Sequence, residues 1–154
     1  MLVVSDTSPL TALLKIRRAD LLRQLFAQVL IPPAVEVELL RNHPFLPAWL
    51  EVRTPHHIPA RIAAAHLDRG ETEALALALE LHADTVLMDE RLGRRAAREL
   101  GLRATGLLGC LLLAKDARLL DAISPVISEL QDLAGCWFDD ALIAGTLRAA
   151  GESA

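Results

Sequence analysis

Acidic residues that could share one site fall at four places in this sequence, at or beyond the end of a short apolar run, opening a helix or within one. Asp6 follows Leu2-Val3-Val4, and Glu38 lies within Val35-Glu36-Val37-Glu38-Leu39-Leu40, beyond Val29-Leu30-Ile31. Glu71 and Glu73 open the segment Gly70-Glu71-Thr72-Glu73-Ala74-Leu75, and Asp89 and Glu90 follow Thr85-Val86-Leu87-Met88. If the apolar runs are strands of one sheet, these acids gather along one edge of it. Carboxylates a few ångströms apart cannot all ionise cheaply unless a cation sits among them. A hard divalent ion, Mg²⁺ or Mn²⁺, takes a few carboxylates together with water and phosphate oxygens. The chemistry such a site serves best is phosphodiester hydrolysis. Taken singly, each acid has a plainer reading. Asp6 can be a turn or cap residue, and Glu71, Glu73, Asp89 and Glu90 can be first-turn acids favoured by the helix dipole. Glu36 and Glu38 are two positions apart, so at most one of them faces the sheet edge, and the same holds for Glu71 and Glu73. Convergence, not any single acid, carries the chemistry.

The elements that must position these acids follow from patterning. Leu2 to Val4, Val29 to Ile31, Thr85 to Met88 and Arg103 to Thr105 read as short strands, with a further short strand at Leu50 to Arg53. Ser8 followed by Pro9 reads as an N-cap and first helical position. Further helices are expected over Ala19 to Phe26, Pro33 to about Arg41, Ala60 to His66, Glu71 to His82, Arg91 to Leu100 and Leu107 to Lys115. Gly101 stands at a C-terminal cap position. The remainder reads as helical, broken at Ser124-Pro125 and around Gly135. Short strands, apolar on both faces and alternating with helices, call for a mostly parallel sheet covered on each side: an α/β three-layer sandwich over residues 1–154. Ligands in such sheets bind beyond the carboxyl ends of the strands.

The chain has 154 residues, 53% of them hydrophobic, which excludes a disordered tail. Only 3% are aromatic and the net charge is −4, so neither stacking nor a general electrostatic grip on nucleic acid is announced by composition. Any contact with RNA or DNA must use a local patch. Cys110 and Cys136 lie in apolar or aromatic surroundings without a CxxC pair, which reads as reduced thiols. The longest apolar stretch, Leu107 to Ala114, falls far short of the roughly 18 residues of a membrane span. A cytoplasmic protein with no membrane segment is expected.

Val3-Val4-Ser5-Asp6-Thr7-Ser8-Pro9-Leu10 resembles the opening motif of the PIN-domain ribonucleases. Pro33-Ala34-Val35 with Glu38-Leu39 resembles their second acidic motif. Gly70 to Ala78 and Leu87-Met88-Asp89-Glu90-Arg91 resemble the third and fourth, in the same order and over nearly the whole chain. The resemblance implies a metal-dependent endoribonuclease with the PIN fold, often the VapC-like toxin of a bacterial toxin–antitoxin pair. It implies Asp6 and Asp89 as Mg²⁺ or Mn²⁺ ligands, and Glu38 as a ligand directly or through water. Glu73 takes the third acidic position with Glu71 as its competitor, and Glu90 competes with Asp89. Thr7 or Ser8 would orient Asp6 by hydrogen bonding. The third motif departs from the commonest toxin pattern, with Gly-Glu-Thr-Glu-Ala where an Asp-Ala-Leu helix usually opens, and matches a sub-branch with Gly-Glu-x-Glu-Ala. Met88-Asp89-Glu90 also stands where a Thr usually precedes the final acid. An RNA substrate, a small antitoxin and a homodimer are the implied partners.

Arg91, Arg94, Arg95 and Arg98 form one helical stripe that suits phosphate contacts, or a solvated face paired with Glu90 or Glu99. Trp49 and Trp137 read as core or dimer-interface anchors ahead of base-stacking platforms. The Leu-rich helices between Ala12 and Leu30 offer an apolar face for a second subunit. Asp140-Ala141-Leu142 imitates a toxin motif but falls after Asp89, in the wrong order. Two rivals remain: a non-catalytic nucleic-acid or protein-binding module of the same fold, and a phosphatase or phosphotransferase using Asp6 as nucleophile. The second is weakened because Ser8 stands where it wants a second Asp.

Overall fold

The computed structural model describes residues 1–152. In chain order it forms β1 (Leu2–Ser5), α1 (Thr7–Lys15), α2 (Asp20–Leu25), β2 (Gln28–Ile31), α3 (Pro33–Leu40) and β3 (Leu50–Val52). Then follow α4 (Ala60–Ala63), α5 (Arg69–Leu81), β4 (Thr85–Leu87), α6 (Arg91–Glu99), β5 (Ala104–Thr105), α7 (Leu107–Asp116), α8 (Ser124–Asp132) and α9 (Asp140–Ala149). Among the described residues the strands make one sheet in the order β3-β2-β1-β4-β5, with every pairing parallel. The expected α/β sandwich is what the chain adopts. No helix of the described residues is long and apolar enough to cross a membrane.

Side-chain alternation along these short strands divides the interior in two. Val3, Val29, Ile31 and Leu87 face one layer, built with Leu10, Leu13, Leu22, Phe26, Leu39, Leu111 and Leu130. Val4, Leu30, Val86 and Met88 face the other, against α5 and α6. On that side Ala74, Ala76 and Ala78 are buried, and their small side chains let α5 lie close to the sheet. Every central strand is therefore apolar on both faces, as a covered parallel sheet requires.

Several boundaries differ from the pattern-based reading. Helix α1 begins at Thr7, not after Ser8, because the Asp6 amide still belongs to the sheet and donates to the Leu87 carbonyl at 2.9 Å. Asp6 thus takes the N-cap position, and Pro9 falls within the first turn, where its missing N–H leaves nothing unpaired. Helix α4 stops at Ala63, and His66 adopts a positive φ of 54° that turns the chain toward α5. The Leu-rich face expected to receive a second subunit is consumed internally: Leu10, Leu13, Leu21 and Leu22 are all core residues. Trp49 packs half-buried on the core, whereas Trp137 stands in solvent. Both thiols are free, Cys110 buried and Cys136 half-buried, and burial pushes the Cys110 thiol up to about 12.

The end of the described chain is clasped to the start of α8. Glu152 accepts hydrogen bonds from the Ile123 amide at 2.8 Å, the Ser124 amide at 3.1 Å and Lys115 Nζ at 2.9 Å. These donors hold its carboxyl below the usual range, the Ile123 amide contributing most. Glu152→Ala should lower stability by about 1–3 kcal/mol in urea unfolding at pH 7. A depressed carboxyl stabilises fully above its unfolded-state value and loses that contribution as pH falls through its lower folded-state value, so the difference from wild type should shrink below about pH 4.

Candidate metal centre

Strand β1 is central, with β2 on one side and β4 on the other, so the chain reverses its winding direction between β1 and β4. A parallel sheet opens a crevice at such a point, beyond the strand ends. Asp6 leaves β1 there, and Asp89-Glu90 follow β4. The register Ser5↔Leu87 and the Asp6–Leu87 backbone bond hold the two strand ends side by side. The cleft has a volume of about 360 Å³, and Asp6, Glu38, Asp68 and Glu90 line it together with Thr7, Ser8 and Cys136.

Gly70 is the hub of the acid cluster. A β-carbon placed on it would lie 3.1 Å from Glu38 Oε1, 3.2 Å from Asp6 Oδ1 and 3.5 Å from Asp68 Oδ1. Three carboxylate oxygens from three different elements thus lie within 3.5 Å of one point, which a side chain at position 70 would crowd. Asp68 is the residue that sequence reading missed. It caps α5, accepting from the Glu71 amide at 2.7 Å, and a capping Asp before a helix looks structural. The available signal was a fifth acid one turn ahead of the Gly-Glu-Thr-Glu segment.

The expected ligands divide as follows. Asp6 and Glu38 meet in the cleft. Of the pair on α5, Glu71 turns inward: it is 6% exposed, and its Oε2 is buried with no hydrogen-bond partner among the described residues. A methyl group on Gly93 would run into that carboxylate and the Met88 sulfur. Glu73 lies elsewhere, accepting from the Ala34 amide at 3.0 Å and from Arg69 Nε at 2.9 Å, where it satisfies the start of α3. The two-residue spacing separates them as helix geometry demands. Of the pair after β4, Glu90 lines the cleft, while Asp89 Oδ1 accepts from the Leu107 amide at 3.0 Å at the start of α7. The Thr7 hydroxyl donates to Glu38 Oε2, at 2.6 Å, rather than to Asp6; Ser8 lines the cleft without a hydrogen bond to either.

The arginine stripe is split. Arg94 is half-buried and turns toward the Met88 carbonyl, and its charge draws Asp89 down. Arg95 pairs with Glu99 at 3.2 Å, leaving Arg91 and Arg98 exposed.

Electrostatics reflect the crowding. Burial raises Asp6 to about 7, with Asp68, Glu38 and Glu90 adding to the rise and the Thr7 amide opposing it. Glu71 is raised by burial and by its neighbours Asp68 and Asp6. Burial likewise raises Asp89, against the pull of the Leu107 amide and Arg94. The donor set is all oxygen, which suits Mg²⁺ or Mn²⁺ rather than a thiolate-loving metal. Among the described residues no three acid, imidazole or thiol side chains are already drawn tightly enough to close round an ion. An ion that keeps several waters fits this cluster better than a fully caged one.

A PIN-domain family model, DUF3368, matches residues 2–152. The chain belongs to the PIN-domain family. Members of that family are generally nucleases that use divalent metals. Among solved structures, a PilT N-terminus domain protein from the hyperthermophilic archaeon Sulfolobus solfataricus P2 is similar in fold. That similarity has a TM-score of 0.55 at 20% identity, covering 75% of this chain and 92% of that one. No curated protein matches this PIN domain.

Raised acids destabilise the metal-free fold in a defined window. Asp6 favours the folded state only while protonated, so its penalty is absent below about pH 4 and complete above about pH 7. Metal-free protein should lose stability between those values. Asp6→Asn should remove much of that loss, leaving the variant more stable than wild type at pH 8 by on the order of 2–4 kcal/mol. Urea melts in EDTA at pH 5 and pH 8 measure both effects.

Proposed function

We propose that this PIN domain, spanning residues 1–154, is an endoribonuclease that uses Mg²⁺ or Mn²⁺ to hydrolyse RNA phosphodiester bonds. The observation that carries the reading is the gathering of Asp6, Glu38 and Asp68 oxygens around Gly70. Asp6, Glu38 and Asp68 would hold the metal, with Glu90 at the cleft margin; Asp89, held by the Leu107 amide, is included on the motif resemblance. When bound, the metal supplies Lewis-acid stabilisation of the phosphoryl oxygens and an acidified water.

The chain's own residues prepare that chemistry. Thr7 fixes Glu38 through its hydroxyl, so one carboxylate enters the cleft in a set orientation. Glu71, buried beside Asp68 and Asp6, is raised to about 7, so near neutrality it carries less than a full negative charge. The start of α1 sits at Asp6 and brings the positive end of its dipole to the cleft. Arg91, exposed at the start of α6, is placed to meet an RNA phosphate near Glu90, and Arg98 extends the track along the helix. The reading includes the cytoplasmic toxin of a toxin–antitoxin pair, restrained by a small antitoxin and acting as a homodimer. It rests on the motif resemblance.

Purified protein incubated with a mixed pool of structured RNA should cut it with Mn²⁺ or Mg²⁺ and not with EDTA. Asp6→Asn and Asp68→Asn should each lower the rate at least about 100-fold while the circular dichroism spectrum stays native. Unchanged cutting by a folded Asp68→Asn protein would remove Asp68 from the site.

A further inference from the structure

Tryptophan is the largest side chain a protein can bury, and burying one takes about 150–250 Å² out of water. This chain has two tryptophans, three phenylalanines and no tyrosine. With so few aromatics, leaving one outside is conspicuous, and Trp137 is 84% exposed. Its location is specific. Ala134, Gly135 and Cys136 form part of the wall of the acid cleft that Asp6 and Glu38 also line, and Trp137 is the next residue. Leu133, on the other side of the same wall, is 65% exposed. Gly135 takes a positive φ of 70°, and the Cys136 amide donates to the Leu130 carbonyl at 3.0 Å, so the wall is a fixed turn at the end of α8.

An exposed indole therefore follows directly on a wall of the acid cleft. Single-stranded RNA alternates a flat apolar base with an anionic phosphate, and bases splayed from a single strand stack on aromatic side chains.

We propose that Trp137 is a positioning residue that stacks on a nucleobase flanking the phosphodiester held in the acid cleft. The inference rests on the nuclease reading above. It restricts the substrate to single-stranded or locally unpaired RNA, because a paired base cannot present its face to the indole. Trp137 touches the base and not the reacting atoms, so its loss weakens substrate binding and leaves the chemical step alone.

Two measurements test this. In a Trp49→Phe protein, where Trp137 is the sole tryptophan, a single-stranded oligoribonucleotide should quench its fluorescence. Ca²⁺ replaces Mg²⁺ in that titration, and an abasic ribose-phosphate oligomer of equal length should not quench. In steady-state cleavage with Mg²⁺, Trp137→Ala should raise KM roughly 5- to 100-fold with kcat within about threefold, and Trp137→Phe should keep most of the affinity. Equal quenching by the abasic oligomer would overturn stacking. So would an unchanged KM for Trp137→Ala, including the case where that variant dissociates a dimer and thereby marks the indole as a subunit contact. Absence of cleavage under every metal, with base-dependent quenching retained, would reject the nuclease reading and leave the stacking contact standing.

Discussion

Burial of Asp6 beside Glu38, Asp68 and Glu90 is the constraint around which this domain is arranged. Each acid comes from a different element, and three of the four are held in place. Asp6 is tied by its own amide to Leu87 across the sheet, Glu38 is tethered by Thr7, and Asp68 is spent on capping α5. The core holds these elements in place, since Leu10, Leu39 and Leu75 anchor α1, α3 and α5 with no exposure to solvent. The fold keeps these acids together, and protonation of Asp6 near neutrality relieves the cost of burying it beside them in the metal-free protein.

Two glycines show how narrowly the cluster is built. Gly70 leaves open the point on which three carboxylate oxygens converge, and Gly93 leaves room for the buried Glu71 carboxylate beside Met88. Neither adopts a left-handed conformation, so their role is space, not backbone freedom. Glu71 and Asp68 then act as a linked pair at the start of α5. One faces the cleft, and the other is buried behind it with an oxygen that no described protein group satisfies. A buried carboxylate left this way is costly unless it holds a proton.

Much of this was readable in the sequence, and the exceptions have physical causes. The strands, the parallel sheet and the placement of Asp6 follow from apolar runs that end abruptly in polar residues. Glu38 rather than Glu36 entering the cleft is a choice that spacing alone narrows to one of two. Asp68 was hidden because a capping Asp serves the helix so well that no second role is visible. Glu73 looked equivalent to Glu71 in sequence, but two positions on a helix point apart, and the Ala34 amide and Arg69 take Glu73 up. The Thr7 hydroxyl could not be assigned to Glu38 from a chain in which the two lie 31 residues apart. The arginine stripe was a sound pattern that tertiary contacts divided, because Gly106 opens a space that Arg94 enters beside Asp89.

The central claim is that the oxygens around Gly70 belong to a divalent metal site. Anomalous diffraction from crystals soaked in Mn²⁺ locates such an ion directly. A manganese peak between Asp6, Glu38 and Asp68, completed by water and absent from Asp6→Asn crystals, is the expected result. Well-diffracting wild-type crystals at saturating Mn²⁺, with no peak in the cleft and full order in those three side chains, would contradict it.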